Sequence, residues 1–141
     1  MNALEFAQYM VQEEHKQIQT LLDKMNNEDL SYSLGEDTIG TRLKHMSSAE
    51  YRMSSYVDPK GDENTLEVEV TLEGLKNAFE KSKQRHLAAL SAMKVEDLSS
   101  TWTSQSSGKE YEKKWLLYHF IEHIATHRGQ VTMALRISKE N

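Results

Sequence analysis

Three histidines follow one another at intervals of four residues in the stretch YHFIEHIATHRGQ, which covers residues 118–130. They are His119, His123 and His127. Imidazole nitrogen is a common ligand of divalent transition metals, and two histidines at positions i and i+4 of a helix can bind one ion. The spacing therefore indicates a metal site and poses the question of which two histidines share it.

Helix geometry separates the three histidines. Because a helix rises about 12 Å over eight residues, His119 and His127 lie too far apart to share one ion. Measured around the helix from the apolar Phe120, His123 lies at about −60° and His127 at about −20°, whereas His119 lies at about −100°, at the margin of the apolar stripe. The inward pair is therefore His123 and His127, with His119 beside it. The alternative is two buried neutral imidazoles that hydrogen-bond to neighbouring side chains.

A third ligand has to come from another helix, and the chain offers three further histidines. On their own helices His15 and His86 lie within the apolar stripe, whereas His45 lies at its edge. The pattern alone favours His15 or His86 and leaves the choice open.

Composition limits the partners and the chemistry. The 141 residues carry a formal net charge of −5 and no cysteine. Without a basic patch, nucleic acid is excluded as a partner, and without an apolar run of about 20 residues we expect no membrane span and a cytoplasmic location. The lack of thiols leaves only nitrogen and oxygen as metal ligands.

Periodic apolar residues predict four helices, over residues of about 3–25, 38–57, 72–93 and 110–138. The sequence therefore predicts an all-α four-helix bundle that forms one domain over residues 1–141, in which a connection of about 12 residues allows a crossover between the second and third helices. LEVEV, residues 66–70, is interpreted as an extended lead-in to the third helix, and SSTWTSQSSGKE, residues 99–110, as a loop.

Two helix caps follow from local patterns. Asp37 or Ser33 is expected to cap the second helix. Ser107 and Glu110 have the spacing of a capping box for the fourth helix.

Residues around the histidine run also admit physical interpretations. Gly129 costs about 1 kcal/mol relative to alanine within a helix, so we expect a close helix crossing there. Arg128 is expected to pair with a carboxylate such as Glu50, or else to be solvated. Gln130 lies on the side of His123 and is expected to orient a ligand imidazole. Both tryptophans, Trp102 and Trp115, are interpreted as packing residues.

Two stretches carry a resemblance to a known family. HIATHRGQV (residues 123–131), with TIGTRLKHMSSAE (residues 38–50), resembles the DinB/YfiT-like superfamily of metalloenzymes, over nearly the whole chain in length and helix order. In that superfamily one histidine of the second helix and two of the fourth bind a divalent metal. The resemblance therefore implies His45, His123 and His127 as ligands, with His15 as the alternative to His45.

The resemblance also implies a cofactor and an assembly. We expect a divalent metal ion, with zinc or nickel favoured and iron or manganese as alternatives. Relatives often form homodimers, and Phe6, Met10 and Leu21 lie off the main stripe of the first helix, where they would suit a second contact surface.

Three functions remain open at this point. Some relatives are thiol-dependent S-transferases, so the first is transfer of a low-molecular-weight thiol to a small electrophile. The second is a metal-dependent hydrolase, which needs a general base such as Glu50 or Glu122. The third is a non-catalytic, stress-related metal-binding bundle.

Overall fold

The computed structural model describes residues 1–58 and 64–140 of the chain. Most of them form four helices: α1 (Ala3–Asp23), α2 (Ile39–Ser54), α3 (Leu72–Ala92) and α4 (Lys113–Glu140). Two short antiparallel hairpins directly precede α2 and α4: β1 (Ser33–Leu34) with β2 (Asp37–Thr38), and β3 (Thr101–Thr103) with β4 (Glu110–Glu112). The predicted all-α four-helix bundle is confirmed.

Side-chain caps determine where α1 and α2 begin. Asn2 Oδ1 accepts the backbone N–H of Glu5 at 2.9 Å, and Thr38 Oγ1 accepts that of Thr41 at 3.1 Å. Each bond satisfies an N–H that has no partner within its helix. The predicted caps of α2 are therefore wrong, because Ser33 and Asp37 are paired in the β1–β2 hairpin and Thr38 is the last residue before the helix.

The start of α4 also differs from the prediction. Residues 110–112 pair with residues 101–103 in an antiparallel ladder, so α4 begins at Lys113 and not near residue 110. Ser107 lies in the hairpin turn, where Gly108 adopts a φ of 71°. The loop assigned to residues 99–110 and the capping box at Ser107 are thus wrong, because strand pairing across the turn supplies the backbone hydrogen bonds.

The helices pack so that α1 and α2 each contact both α3 and α4. One half of the core joins the C-terminal parts of α1 and α4 to the N-terminal parts of α2 and α3. The other half joins the opposite ends of the same four helices. Consequently α1 and α4 run in one direction and α2 and α3 in the other, and α2 lies antiparallel to α4.

The connection from α2 to α3 is a crossover, since these neighbouring helices are parallel. Its described residues, 55–58 and 64–71, contain no strand, which agrees with the expected extended lead-in at residues 66–70. It passes close to α2: a Cβ added to Gly40 would lie 2.7 Å from Val70 Cγ1 and 3.0 Å from the carbonyl oxygen of Leu30. Glycine at position 40 permits this close approach.

The outer surface of α1 meets the expectation of a second contact face only in part. Phe6 is exposed and Met10 is half-buried, but Leu21 is buried in the core. Leu21 was therefore assigned wrongly, since its side chain packs within the cluster that includes Met25 and Leu30.

Within residues 1–58 and 64–140, no helix is both long and apolar enough to cross a membrane.

Two helical glycines have opposite surroundings. A Cβ on Gly74, in the first turn of α3, would collide with the carbonyl oxygen of Glu69. A Cβ on Gly129, in α4, would meet no atom within 4 Å. The expectation of a close helix crossing at Gly129 is therefore wrong.

Gly74→Ala is expected to lower the free energy of unfolding by about 1–3 kcal/mol, because the backbone at Glu69 has to move. Gly129→Ala, the matched control within a helix, is expected to raise it by up to about 1 kcal/mol through helix propensity. Urea unfolding followed by circular dichroism measures both. Equal destabilisation by the two variants would contradict this assignment.

Candidate metal centre

His45, on α2, meets His123 and His127, on α4, at the antiparallel contact of the two helices. The Nε2 atom of His123 lies 3.3 Å from Nε2 of His45 and 3.2 Å from Nε2 of His127. One nitrogen from each of the three lies within 4.8 Å of the others. Because His45 is exposed and the other two are half-buried, the cluster opens to solvent on one side.

The spacing of these nitrogens fits a metal ion. A zinc–imidazole bond of about 2.0–2.1 Å and tetrahedral angles place two ligand nitrogens about 3.3–3.4 Å apart. The two short Nε2 separations of 3.2 and 3.3 Å match that value. Three Nε2 atoms that converge in this way cannot all satisfy one another by hydrogen bonds, since each neutral ring carries only one N–H. A cation would satisfy all three lone pairs at once.

A polar network beside the cluster orients His127. Gln130 Oε1 accepts a hydrogen bond from Arg42 Nη1 at 2.5 Å, and His127 Nδ1 lies 2.8 Å from Gln130 Oε1 and 3.2 Å from Arg42 Nη1. Arg42 in turn contacts Asp37 at 3.3 Å, in the hairpin before α2. With the proton on Nδ1, the Nε2 lone pair of His127 faces the cluster, which is the form that binds metal.

Gln130 lies beside a histidine of the cluster, as expected from its position on α4, whereas the contact of Arg42 was not expected from the sequence. Arg42 precedes His45 by three residues, so the two lie on one face of α2. This spacing is the signal in the sequence that could have identified Arg42.

The Nδ1 atom of His123 is buried and has no partner within the described parts of the chain.

Burial and nearby positive charge favour the neutral forms of His45 and His123. Burial lowers the pKa of His123 to about 4, and the neighbouring charges of His127, His45 and Arg42 act in the same direction. Burial also lowers the pKa of His45, again helped by nearby positive charge. Neutral imidazoles have free lone pairs at neutral pH, as metal binding requires.

His119 stays outside the cluster, as expected. Its ring stacks on Trp115 with centroids 4.7 Å apart and an interplanar angle of 9°. Its Nδ1 atom lies 3.9 Å from the carboxylate of Glu122. The ring centroid is 6.1 Å from that of His123, so His119 flanks the site without joining it.

The alternative ligands His15 and His86 belong to a different cluster in the core. His15 Nε2 lies 2.8 and 2.9 Å from the two carboxylate oxygens of Glu50, and His86 Nδ1 lies 2.9 Å from Oε2. All three residues are buried. The structure therefore separates two groups of histidines that the helical patterns could not distinguish.

The partner of Arg128 differs from the expected one. Arg128 forms hydrogen bonds of 2.6 and 3.2 Å with the carboxylate of Glu14, on α1, and not with Glu50. A partly buried, two-pronged ion pair of this kind joins α4 to α1. Glu50 is unavailable to it because the two histidines already occupy its carboxylate.

A helical bundle that presents three imidazoles from two antiparallel helices defines a class of candidate metal-binding proteins. The sequence profile of the DinB family matches residues 1–137, and the chain belongs to that family, whose members commonly bind a metal. A crystal structure of a DinB-like protein from Bacillus cereus ATCC 10987 has a similar fold, with a TM-score of 0.74 and 23% sequence identity over 89% of this chain and 86% of that chain. No curated protein matches the sequence.

Glu50 makes the stability of the fold depend on pH. Burial by itself would raise the pKa of Glu50, but hydrogen bonds and charge from His15 and His86 outweigh it and lower the pKa from 4.5 to about 2. The carboxylate therefore stabilises the fold above about pH 4.5, and this contribution is lost as the pH falls through about 2.

We expect the free energy of unfolding to fall by on the order of 3 kcal/mol more in the native protein than in Glu50→Gln over this pH range. Urea unfolding at successive pH values measures the difference. Parallel pH profiles for the two proteins would show that Glu50 does not carry the effect.

Proposed function

We propose that the protein binds one divalent metal ion through Nε2 of His45, His123 and His127 and acts as a metal-dependent enzyme. The observation that carries the proposal is the pair of Nε2 separations of 3.2 and 3.3 Å, which suit ligands of one ion. Zinc and nickel suit three imidazole donors best, with iron and manganese as alternatives.

The arrangement of the ligands favours catalysis over a purely structural role. Structural zinc sites have four protein ligands, whereas catalytic sites keep a position open for water or substrate. Three histidines on two helices, with His45 exposed, leave such a position on the solvent side. When bound there, the metal supplies a Lewis acid that lowers the pKa of a coordinated thiol or water.

The proposed reaction is transfer of a small thiol to an electrophilic carbon. The thiol loses its proton to solvent, its sulfur forms a bond to the carbon, and the leaving group departs with the electron pair of the broken bond. The thiolate is the attacking form. With no cysteine in the chain, the thiol has to come from outside, in agreement with the thiol-dependent relatives of the superfamily.

The surroundings of the histidines give less support to the hydrolase. A hydrolase needs a general base close to the metal-bound water. Of the two carboxylates considered, Glu50 is buried and held by His15 and His86. Glu122 is exposed, and its closest contact with a histidine is at 3.9 Å, to His119. Neither carboxylate hydrogen-bonds to a proposed ligand among the residues that the structure describes.

Alanine substitution tests the ligand set. His123→Ala or His127→Ala is expected to abolish stoichiometric metal binding, and His45→Ala to weaken it severely, because two imidazoles alone hold a divalent ion poorly. Calorimetric titration of tag-free protein with zinc, together with elemental analysis, measures the stoichiometry and affinity.

His119→Ala is the matched control on the same helix, and it should bind metal as the native protein does. Loss of binding in His119→Ala, or full binding in His45→Ala, would show that the ligand set is wrong.

A thiol screen tests the reaction. Metal-loaded protein is supplied with small electrophiles and with different cellular thiols in turn, and the thioether product is measured by mass spectrometry. We expect the rate to depend on the thiol and to vanish in His127→Ala. Turnover that requires metal but is indifferent to the thiol would instead indicate the hydrolase, and metal binding without any turnover would favour a non-catalytic bundle.

A further inference from the structure

A cavity of about 250 Å³ lies beside the histidine cluster, between the end of α2, the β3–β4 hairpin and the start of α4. Its walls include Tyr56, Trp102, Tyr111 and Trp115. We call this cavity the aromatic cleft. Both tryptophans of the chain line it, and Trp115 is 43% exposed. An exposed tryptophan at a concave site is a typical feature of a binding surface.

The rings of the aromatic cleft form a continuous series that leads to the proposed metal site. Tyr56 stacks on Trp102 with centroids 4.0 Å apart, and Tyr111 stacks on Trp115 at 5.5 Å. Trp115 then stacks on His119. Because the His119 ring lies 6.1 Å from that of His123, the end of the cleft at His119 is the end nearer to the proposed metal ligands.

One positively charged side chain, that of Arg52, lines the cleft. Arg52 is exposed, lines the cavity, and forms no ion pair with any residue in the ranges 1–58 and 64–140. It also lines the adjacent polar cavity that contains His45. No carboxylate lines the aromatic cleft, and no ion pair joins Arg52 to Glu67, which lines the adjacent cavity with it, so the charge of Arg52 is available to a ligand.

We propose that the aromatic cleft binds the electrophilic substrate, and that this substrate is a planar aromatic molecule with a carboxylate. The ring packs against the walls that Trp102 and Trp115 form, and the carboxylate pairs with Arg52. This inference rests on the proposed function for the role of the ligand as a substrate, but the binding site itself is defined by the cleft.

The size of the cavity limits the ligand. Pockets for drug-sized molecules have volumes of about 300–1,000 Å³, and the aromatic cleft is smaller, at about 250 Å³. It therefore suits a molecule of one or two rings. Aromatic walls bind flat aromatic rings better than saturated ones, because aromatic rings also attract one another edge to face. The planar guanidinium of arginine matches a carboxylate with two parallel hydrogen bonds.

Three probes of similar size separate these features. trans-Cinnamate has the ring and the charge, cinnamamide has the ring without the charge, and cyclohexanepropionate has the charge without the ring. Calorimetry measures each affinity. The two indole N–H signals in the NMR spectrum of ¹⁵N-labelled protein report binding directly, since both tryptophans lie in the aromatic cleft. We expect cinnamate to bind about tenfold more tightly than either other probe and to shift both indole signals.

Substitutions at exposed positions provide the matched variants. Arg52→Gln should weaken cinnamate about tenfold and leave cinnamamide unchanged. Trp115→Leu should weaken cinnamate and cinnamamide alike. Arg136→Gln removes an exposed arginine from α4 about 25 Å along the helix from His119, and it should change neither affinity. Thermal unfolding checks that each variant is folded.

Equal affinity for cinnamate and cinnamamide, or unchanged cinnamate binding in Arg52→Gln, would overturn the proposal. The titrations are made with metal-free and with zinc-loaded protein, so that they do not depend on turnover. Cinnamate binding without thiol transfer would contradict the proposed reaction and retain the aromatic cleft as a binding site. Zinc binding at the three histidines without cinnamate binding would contradict the cleft alone.

Discussion

Glu50 is a carboxylate with almost no access to solvent, and the bundle is arranged around its pairing with His15 and His86. An ion removed from water loses several kcal/mol of hydration unless partners replace it. The partners here come from α1 and α3, so the pairing joins three helices and fixes the rotation of α2 about its own axis. His45 precedes Glu50 by five residues, a turn of about 140° around the helix. With Glu50 directed to the centre of the bundle, His45 is directed to the side on which α4 lies.

Histidine thus has two chemical roles in this small protein. In the core, two imidazoles hydrogen-bond to an anion and keep its pKa low. At the contact of α2 and α4, three imidazoles lie beside one another and beside Arg42, and burial with positive charge lowers the pKa of His123 to about 4. The core imidazoles are occupied by the Glu50 anion, whereas burial leaves the His123 imidazole neutral, with a lone pair that suits a cation.

The short segments between the helices surround the proposed metal site. The β1–β2 hairpin carries Asp37, which contacts Arg42. The crossover brings Leu66 and Glu67 to the cavity that contains His45, and the β3–β4 hairpin brings Trp102 to α2, where it stacks on Tyr56. Two antiparallel helices alone would leave the histidines on an open surface. These segments form walls around them, which is a requirement for selective binding of a small molecule.

The amino-acid sequence by itself determined the four helices and the inward pair of His123 and His127, because both follow from apolar periodicity within one helix. It could not choose the third ligand from helix patterns. A helical wheel shows which residues face the core but not which neighbouring helix they meet, and only the resemblance favoured His45. The partners of Glu50 likewise depend on contacts between residues far apart in the chain, and the β3–β4 hairpin depends on pairing across a turn that carries no apolar periodicity. Tertiary packing decided them, since it alone determines which buried polar groups come close enough to satisfy one another.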